Sequence, residues 1–152
     1  MIVGLLLKVS DSLEMNCMNA IDTNLLVYCI DFNELDKQMQ ARELLTSLVA
    51  ACDTVLLWQV VGEYLNCLRR FAATRKFPAE DIDNDIKELL DIFPLASPSK
   101  NVISLSLSLF SRYQLSHWDS MLLAACIEAG VDTLYSEDLS AGVTYDSVKV
   151  IN

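Results

Sequence analysis

The sequence predicts an α/β protein with a parallel sheet covered by helices. Strand-like apolar runs alternate with stretches of helical periodicity along the chain. Its 152 residues amount to one domain, and a domain that long buries roughly 68–70% of its unfolded surface without needing staples. Acidic residues also fall where apolar runs end or helices begin, where open α/β sheets bind their ligands.

Residues 19–30, NAIDTNLLVYCI, read as a strand whose apolar run is broken at Asp22-Thr23-Asn24. The stretch DKQMQARELLTSLVAA sets Met39, Leu44, Leu45, Leu48 and Val49 on one helical face, with Asp36 as a candidate cap. TVLLWQVV is strand-like, and GEYLNCLRRFAATRK is helical. PAEDIDNDIKELLDIF opens on proline and spaces Ile82, Ile86, Leu89, Leu90 and Phe93 as a helix does. Ile103 to Phe110, ISLSLSLF, alternates with period two, yet Val102, Leu105 and Leu109 also fit a helical face; pattern leaves both open. SHWDSMLLAACIEAG is a helix with Gly130 at its C-cap, and VDTLYS and VKVIN are short strands.

Composition narrows the function. An apolar fraction of 53% against 21% charged residues is a globular profile, not a disordered one. The net charge of −10 opposes general adhesion to polyanions, so any nucleic-acid function needs a local basic patch or metal cations. The five cysteines form no C-x-x-C pair and read as free thiols in a reducing compartment, placing the protein in the cytoplasm. Residues 1–18 form an N-terminal leader ahead of a domain over 19–152. Its apolar run is too short to span a membrane and lacks a signal peptide's basic start. It is either an extra segment or a start assigned upstream of Met15 or Met18.

Four acids meet the strand-end or helix-start condition: Asp22, Glu63, Asp119 and Asp138. A buried carboxylate costs several kcal/mol unless paired or bound to a cation, and Asp22 has apolar sequence on both sides. Two carboxylates about 5 Å apart repel by roughly 3 kcal/mol at an effective dielectric of 20, so a cluster of four needs cations. Hard oxygen donors select Mg²⁺ or Mn²⁺, which polarise a phosphodiester and acidify an attacking water. Each acid also has a plain structural role. Asp119 completes a Ser116-x-x-Asp119 capping box, Glu63 favours a helix dipole, and Asp138 is a turn acid with Glu137 as a rival.

On IDTNLLVY, on Glu63 in QVVGEYLNCLRR, on LSHWDSMLLAAC and on LYSEDLSAG, the chain resembles the PIN-domain ribonucleases. Within these it is most similar to the VapC-like toxins of bacterial toxin–antitoxin pairs. The resemblance runs in order from about residue 19 to the end. It implies a three-layer α/β/α sandwich with a central parallel sheet and a site for one or two Mg²⁺ or Mn²⁺ ions. It also implies a homodimer, RNA as substrate and a cognate antitoxin as partner. Asp22, Glu63, Asp119 and Asp138 match the family's four acids, Asn24 its polar partner, and Ser136 its Thr or Ser. Asp22 and Asp119 are then expected to hold the main ion, with Glu63 and Asp138 completing the cluster or orienting water. The resemblance favours a helix for Ile103 to Phe110. The leader and the strong negative charge depart from the pattern.

The remaining candidates are weaker. Arg69, Arg70, Arg75 and Lys76 form the basic cluster in RRFAATRK, either a phosphate grip or a solvated helix face. Trp58, Tyr64 and Trp118 read as core packing rather than as base-stacking residues, and His117 as a capping or packing residue. Asp81, Asp83 and Asp85 resemble a calcium loop, but Ile86 stands where glycine is needed. A phosphotransferase with Asp22 as nucleophile would carry D-x-D, and here the triplet is Asp22-Thr23-Asn24. A PIN-like module that binds RNA or protein without cutting is the non-enzymatic alternative.

Overall fold

A computed structural model describes residues 18–74 and 77–152. The leader up to residue 17, together with Arg75 and Lys76 of the basic cluster, lies outside the described residues.

Strand β1, Asn19–Ile21, has three residues, and helix α1, Thr23–Ile30, follows at once. The expected long strand over 19–30 is therefore a strand–helix junction. Asp22 is its hinge: extended backbone at φ −85° and ψ 162° lets its carboxylate accept from the Thr23 amide at 2.6 Å. The polar triplet ends the strand and opens the helix rather than interrupting a core run.

Helix α2, Leu35–Ala51, packs on α1 and leads to β2, Thr54–Leu57. Its buried positions are Gln38, Ala41, Leu45 and Leu48, at three- and four-residue spacing, while Met39 is 62% exposed. Gln38 is tolerated inside because its amide donates to the Cys29 and Asp31 carbonyls, both at 3.3 Å. Glu34, not Asp36, occupies the N-cap, without a side-chain cap bond.

Helix α3, Trp58–Ala73, starts directly after β2, so TVLLWQVV is half strand and half helix. Glu63 falls in the second turn of α3 rather than at its beginning. A 3₁₀ turn, Ala79–Asp81, precedes α4, Ile82–Ile92. Strand β3, Leu95–Ala96, leads to α5, Lys100–Tyr113, so ISLSLSLF is helical. Ser99 caps α5 by accepting from the Asn101 amide at 3.1 Å. Helix α6, His117–Glu128, ends through Gly130 at φ +72°, a left-handed conformation that glycine adopts without strain. Strands β4, Thr133–Tyr135, β5, Thr144–Tyr145, and β6, Val148–Ile151, complete the chain.

The strand order is β3-β2-β1-β4-β6-β5, parallel throughout except for the β5–β6 pair. The two-residue strands β3 and β5 carry too little pattern to be seen in sequence. Helix α1 packs between α2 and α3, α4 packs on α3, and α5 packs on α6. A continuous core of side chains such as Leu26, Leu56, Val60, Leu123, Leu134 and Val150 joins helices to sheet. From β1 the chain winds outward to β2 and β3, then crosses back to β4 and β6 on the other side. The order reverses between β1 and β4, and the crevice beyond their carboxyl ends is where such sheets bind ligands.

Candidate active site

Register builds the centre of the site. Ile21 pairs with Tyr135 in the parallel β1–β4 ladder, so the next residues, Asp22 and Ser136, meet side by side. The Asp22 amide donates to the Tyr135 carbonyl at 2.9 Å, and the Ser136 hydroxyl donates to Asp22 Oδ2 at 2.7 Å. Asp22 is only 7% exposed, and burial raises its pKa above the ordinary carboxylate value. The bonds from Ser136 and the Thr23 amide oppose that rise, while the charges of Asp138 and Glu63 add to it.

Neutral donors arrange the two neighbouring acids. Thr23 Oγ1 donates to Glu63 Oε2 at 2.9 Å, and Gln59 Nε2 donates to Glu63 Oε1 at 2.9 Å. Asn24 Nδ2 donates to Asp138 Oδ2 at 2.9 Å. Thus Asp22, Thr23 and Asn24 each engage a different partner at the crevice: Ser136, Glu63 and Asp138. Glu137 is drawn off to Tyr28 and Lys37, which leaves Asp138 as the acid held by Asn24.

Asp119 stands outside this network. It lies in the first turn of α6, where its amide donates to Ser116 Oγ at 3.1 Å. Only that half of the capping box forms, and the Asp119 carboxylate makes no hydrogen bond among the described residues. Among the described residues, no group of three or more His, Cys, Asp or Glu side chains is arranged to hold a metal ion. The donor set nonetheless suits a hard cation. A buried carboxylate crowded by two like charges gains from any divalent ion that neutralises it.

The basic cluster lies elsewhere. Arg69 and Arg70 are exposed near the C-terminus of α3, six and seven residues past Glu63, about 9–10 Å along the axis. Of the aromatic candidates, Tyr64 is fully buried, with its hydroxyl donating to Asp85 at 2.7 Å. Trp58 and Trp118 are not core residues: they are 58% and 63% exposed. Each occupies the first turn of its helix, where a side chain has little above it to pack against. His117 meets Trp118 edge to face, with ring centroids 4.9 Å apart. Thr23, Gln59 and Lys37 escape sequence reading as site residues, because only the folded register reveals which acids they hold.

Doubly wound topology with carboxylates at the strand-order reversal describes an α/β protein with an acidic crevice. Residues 20–141 match the model of the PIN domain, and the chain belongs to that family. PIN domains are generally nucleases. No curated protein matches the chain. Among solved structures, a toxin–antitoxin complex from Klebsiella pneumoniae is similar in fold: the TM-score is 0.60 at 15% identity, over 86% of this chain and 94% of that one.

Proposed function

We propose that the protein is a metal-dependent endoribonuclease that hydrolyses RNA phosphodiester bonds, and that it acts as a toxin neutralised by a cognate antitoxin. The observation that carries this reading is Asp22, a buried carboxylate at the β1–β4 crevice with Glu63 and Asp138 raising its proton affinity. Asp22 and Asp119 would hold Mg²⁺ or Mn²⁺, with Glu63 and Asp138 completing the donor set or orienting the attacking water. When bound, the ion supplies polarisation of the phosphodiester and neutralises charge on the leaving oxygen. The chain's own residues prepare the site: Ser136 fixes Asp22, Thr23 and Gln59 aim Glu63, and Asn24 aims Asp138.

The antitoxin assignment draws on the fold shared with the Klebsiella pneumoniae complex. Cytoplasmic action suits the free thiols of Cys29, Cys52, Cys67 and Cys126. Among the described residues no helix is long and apolar enough to cross a membrane. A homodimer through α5 draws on an exposed stripe of Ile103, Leu107 and Phe110, at 54%, 66% and 50%. That helix carries Lys100 and Arg112 but no acid, so its own side chains add no carboxylate repulsion to a meeting of two chains of net charge −10.

Cleavage of a labelled mixed-sequence oligoribonucleotide tests the enzyme. Activity is expected with Mg²⁺ or Mn²⁺, none with EDTA, and a loss on the order of 10²–10³-fold in Asp22→Asn. Unchanged cleavage in that variant overturns the mechanism. RNA bound but never cut favours the silent binding module. Toxicity on expression, relieved by the product of the adjacent reading frame, tests the antitoxin pairing.

A further inference from the structure

A cavity of ≈ 120 Å³ opens from the acid site between α1, α2 and the carboxyl ends of β4 and β6. Asp22, Asn24 and Ser136 line one end, and Tyr28, Lys37 and Glu137 lie at the other. Lys37 is the only cationic side chain lining it among the described residues. Its Nζ donates to Glu137 Oε2 at 3.1 Å and to the Tyr28 hydroxyl at 3.0 Å, and sits 4.4 Å from the centre of the Tyr28 ring. The Tyr28 hydroxyl in turn donates to Glu137 at 2.8 Å.

Asn24 and Tyr28 are four residues apart on α1, on one face, and they bind the consecutive acids Asp138 and Glu137. The ammonium and the Asp22–Asn24–Ser136 end therefore line one continuous cavity, so adjoining phosphates of one strand have a shared surface to follow. The Lys37–Glu137 pair is solvent-accessible, with side chains 43% and 39% exposed, so little free energy resists exchanging its partner. A phosphate oxygen can take the place of Glu137 on the ammonium, because that carboxylate keeps the Tyr28 hydroxyl as a donor when Lys37 leaves. In a chain of net charge −10, with Arg69 and Arg70 well along α3, the crevice has few other means of attracting a polyanion among the described residues.

We propose that this cavity is a nucleotide subsite in which Lys37 leaves Glu137 to grip the RNA phosphate next to the one being cleaved. The proposal rests on the nuclease reading and assigns its substrate-binding residue. Lys37→Met, Lys37→Arg and Glu137→Gln test it. With a fluorescein-labelled mixed-sequence oligoribonucleotide in Mg²⁺, Lys37→Met should raise KM about fivefold at 0.1 M salt and leave kcat unchanged. Its log–log salt slope should shrink by about 0.7, the value for one single-strand phosphate. Lys37→Arg should restore both, and Glu137→Gln should lower KM by freeing the ammonium. Fluorescence anisotropy with Ca²⁺ replacing Mg²⁺ reads affinity apart from chemistry. Absence of cleavage in the wild type would sink the nuclease reading, while affinity that ignores both Lys37→Met and Glu137→Gln would sink the subsite. A kcat loss with unchanged KM would also overturn it.

Discussion

Asp22 does two jobs with one carboxylate. Oδ1 caps α1 and Oδ2 takes the Ser136 hydroxyl, while its charge faces Glu63 and Asp138. Removing the hydroxyl leaves a buried charged oxygen unsatisfied, so Ser136→Ala should destabilise the protein by about 1.5–3 kcal/mol in urea unfolding. The pH dependence follows from the raised pKa of Asp22. The folded chain holds that proton more tightly than the unfolded chain, whose aspartates titrate near 3.9. Stability from this group is complete below that value and is lost as pH rises through the folded pKa. Glu137, held low chiefly by the Tyr28 hydroxyl, and Asp146, held low chiefly by Arg112, act in the opposite sense. The difference between wild type and Asp22→Asn isolates the Asp22 contribution. Without divalent ions, unfolding midpoints should fall more steeply from acid to neutral pH in the wild type, and Mg²⁺ should remove that excess. The thiols of Cys29 and Cys126 are pushed up by burial, Cys29 to about 12, and neither should react with iodoacetamide at neutral pH.

At the level of elements, sequence pattern located almost every segment but misjudged where strand gives way to helix. Both long strand readings ran past the true strand end into a helix that begins at Thr23 in one and at Trp58 in the other. Leu25 to Ile30 are apolar enough to pass for strand because α1 is packed between α2 and α3 and buries much of its surface. The alternation in ISLSLSLF left strand and helix both open for another reason. Serine at every second place mimics a strand, yet α5 buries Val102, Ser106 and Leu109 and exposes Ile103, Leu107 and Phe110. Asp22, Asp119 and Asp138 stood out in sequence because each lies at or just past an element boundary, whereas Glu63 lies in the second turn of α3. The donors that aim the acids did not stand out, since Thr23–Glu63 and Asn24–Asp138 span 40 and 114 residues. Helix ends were clearer, as Gly130 illustrates. A β-carbon there would meet no neighbour within 4 Å, so the cost of Gly130→Ala is backbone strain alone, about 1–2 kcal/mol by thermal or urea unfolding.

For the molecule as a whole, charge and shape set how it meets partners. If the chain acts on RNA as proposed, its net charge of −10 should make association depend on cations held in the crevice, with affinity rising with divalent concentration before ionic screening reduces it. If two copies join through α5, Leu107→Glu should convert dimer to monomer in sedimentation velocity while thermal stability stays within about 0.5 kcal/mol, since Leu107 is 66% exposed. Among the described residues the sheet offers no comparable route. Its outermost strands, Leu95–Ala96 and Thr144–Tyr145, are two residues each. A visiting backbone would find only a rung or two of open ladder there, too few to recruit it. Crowding many copies together should therefore yield discrete helix-joined particles rather than cross-β fibrils, and thioflavin T should stay dark as concentration climbs.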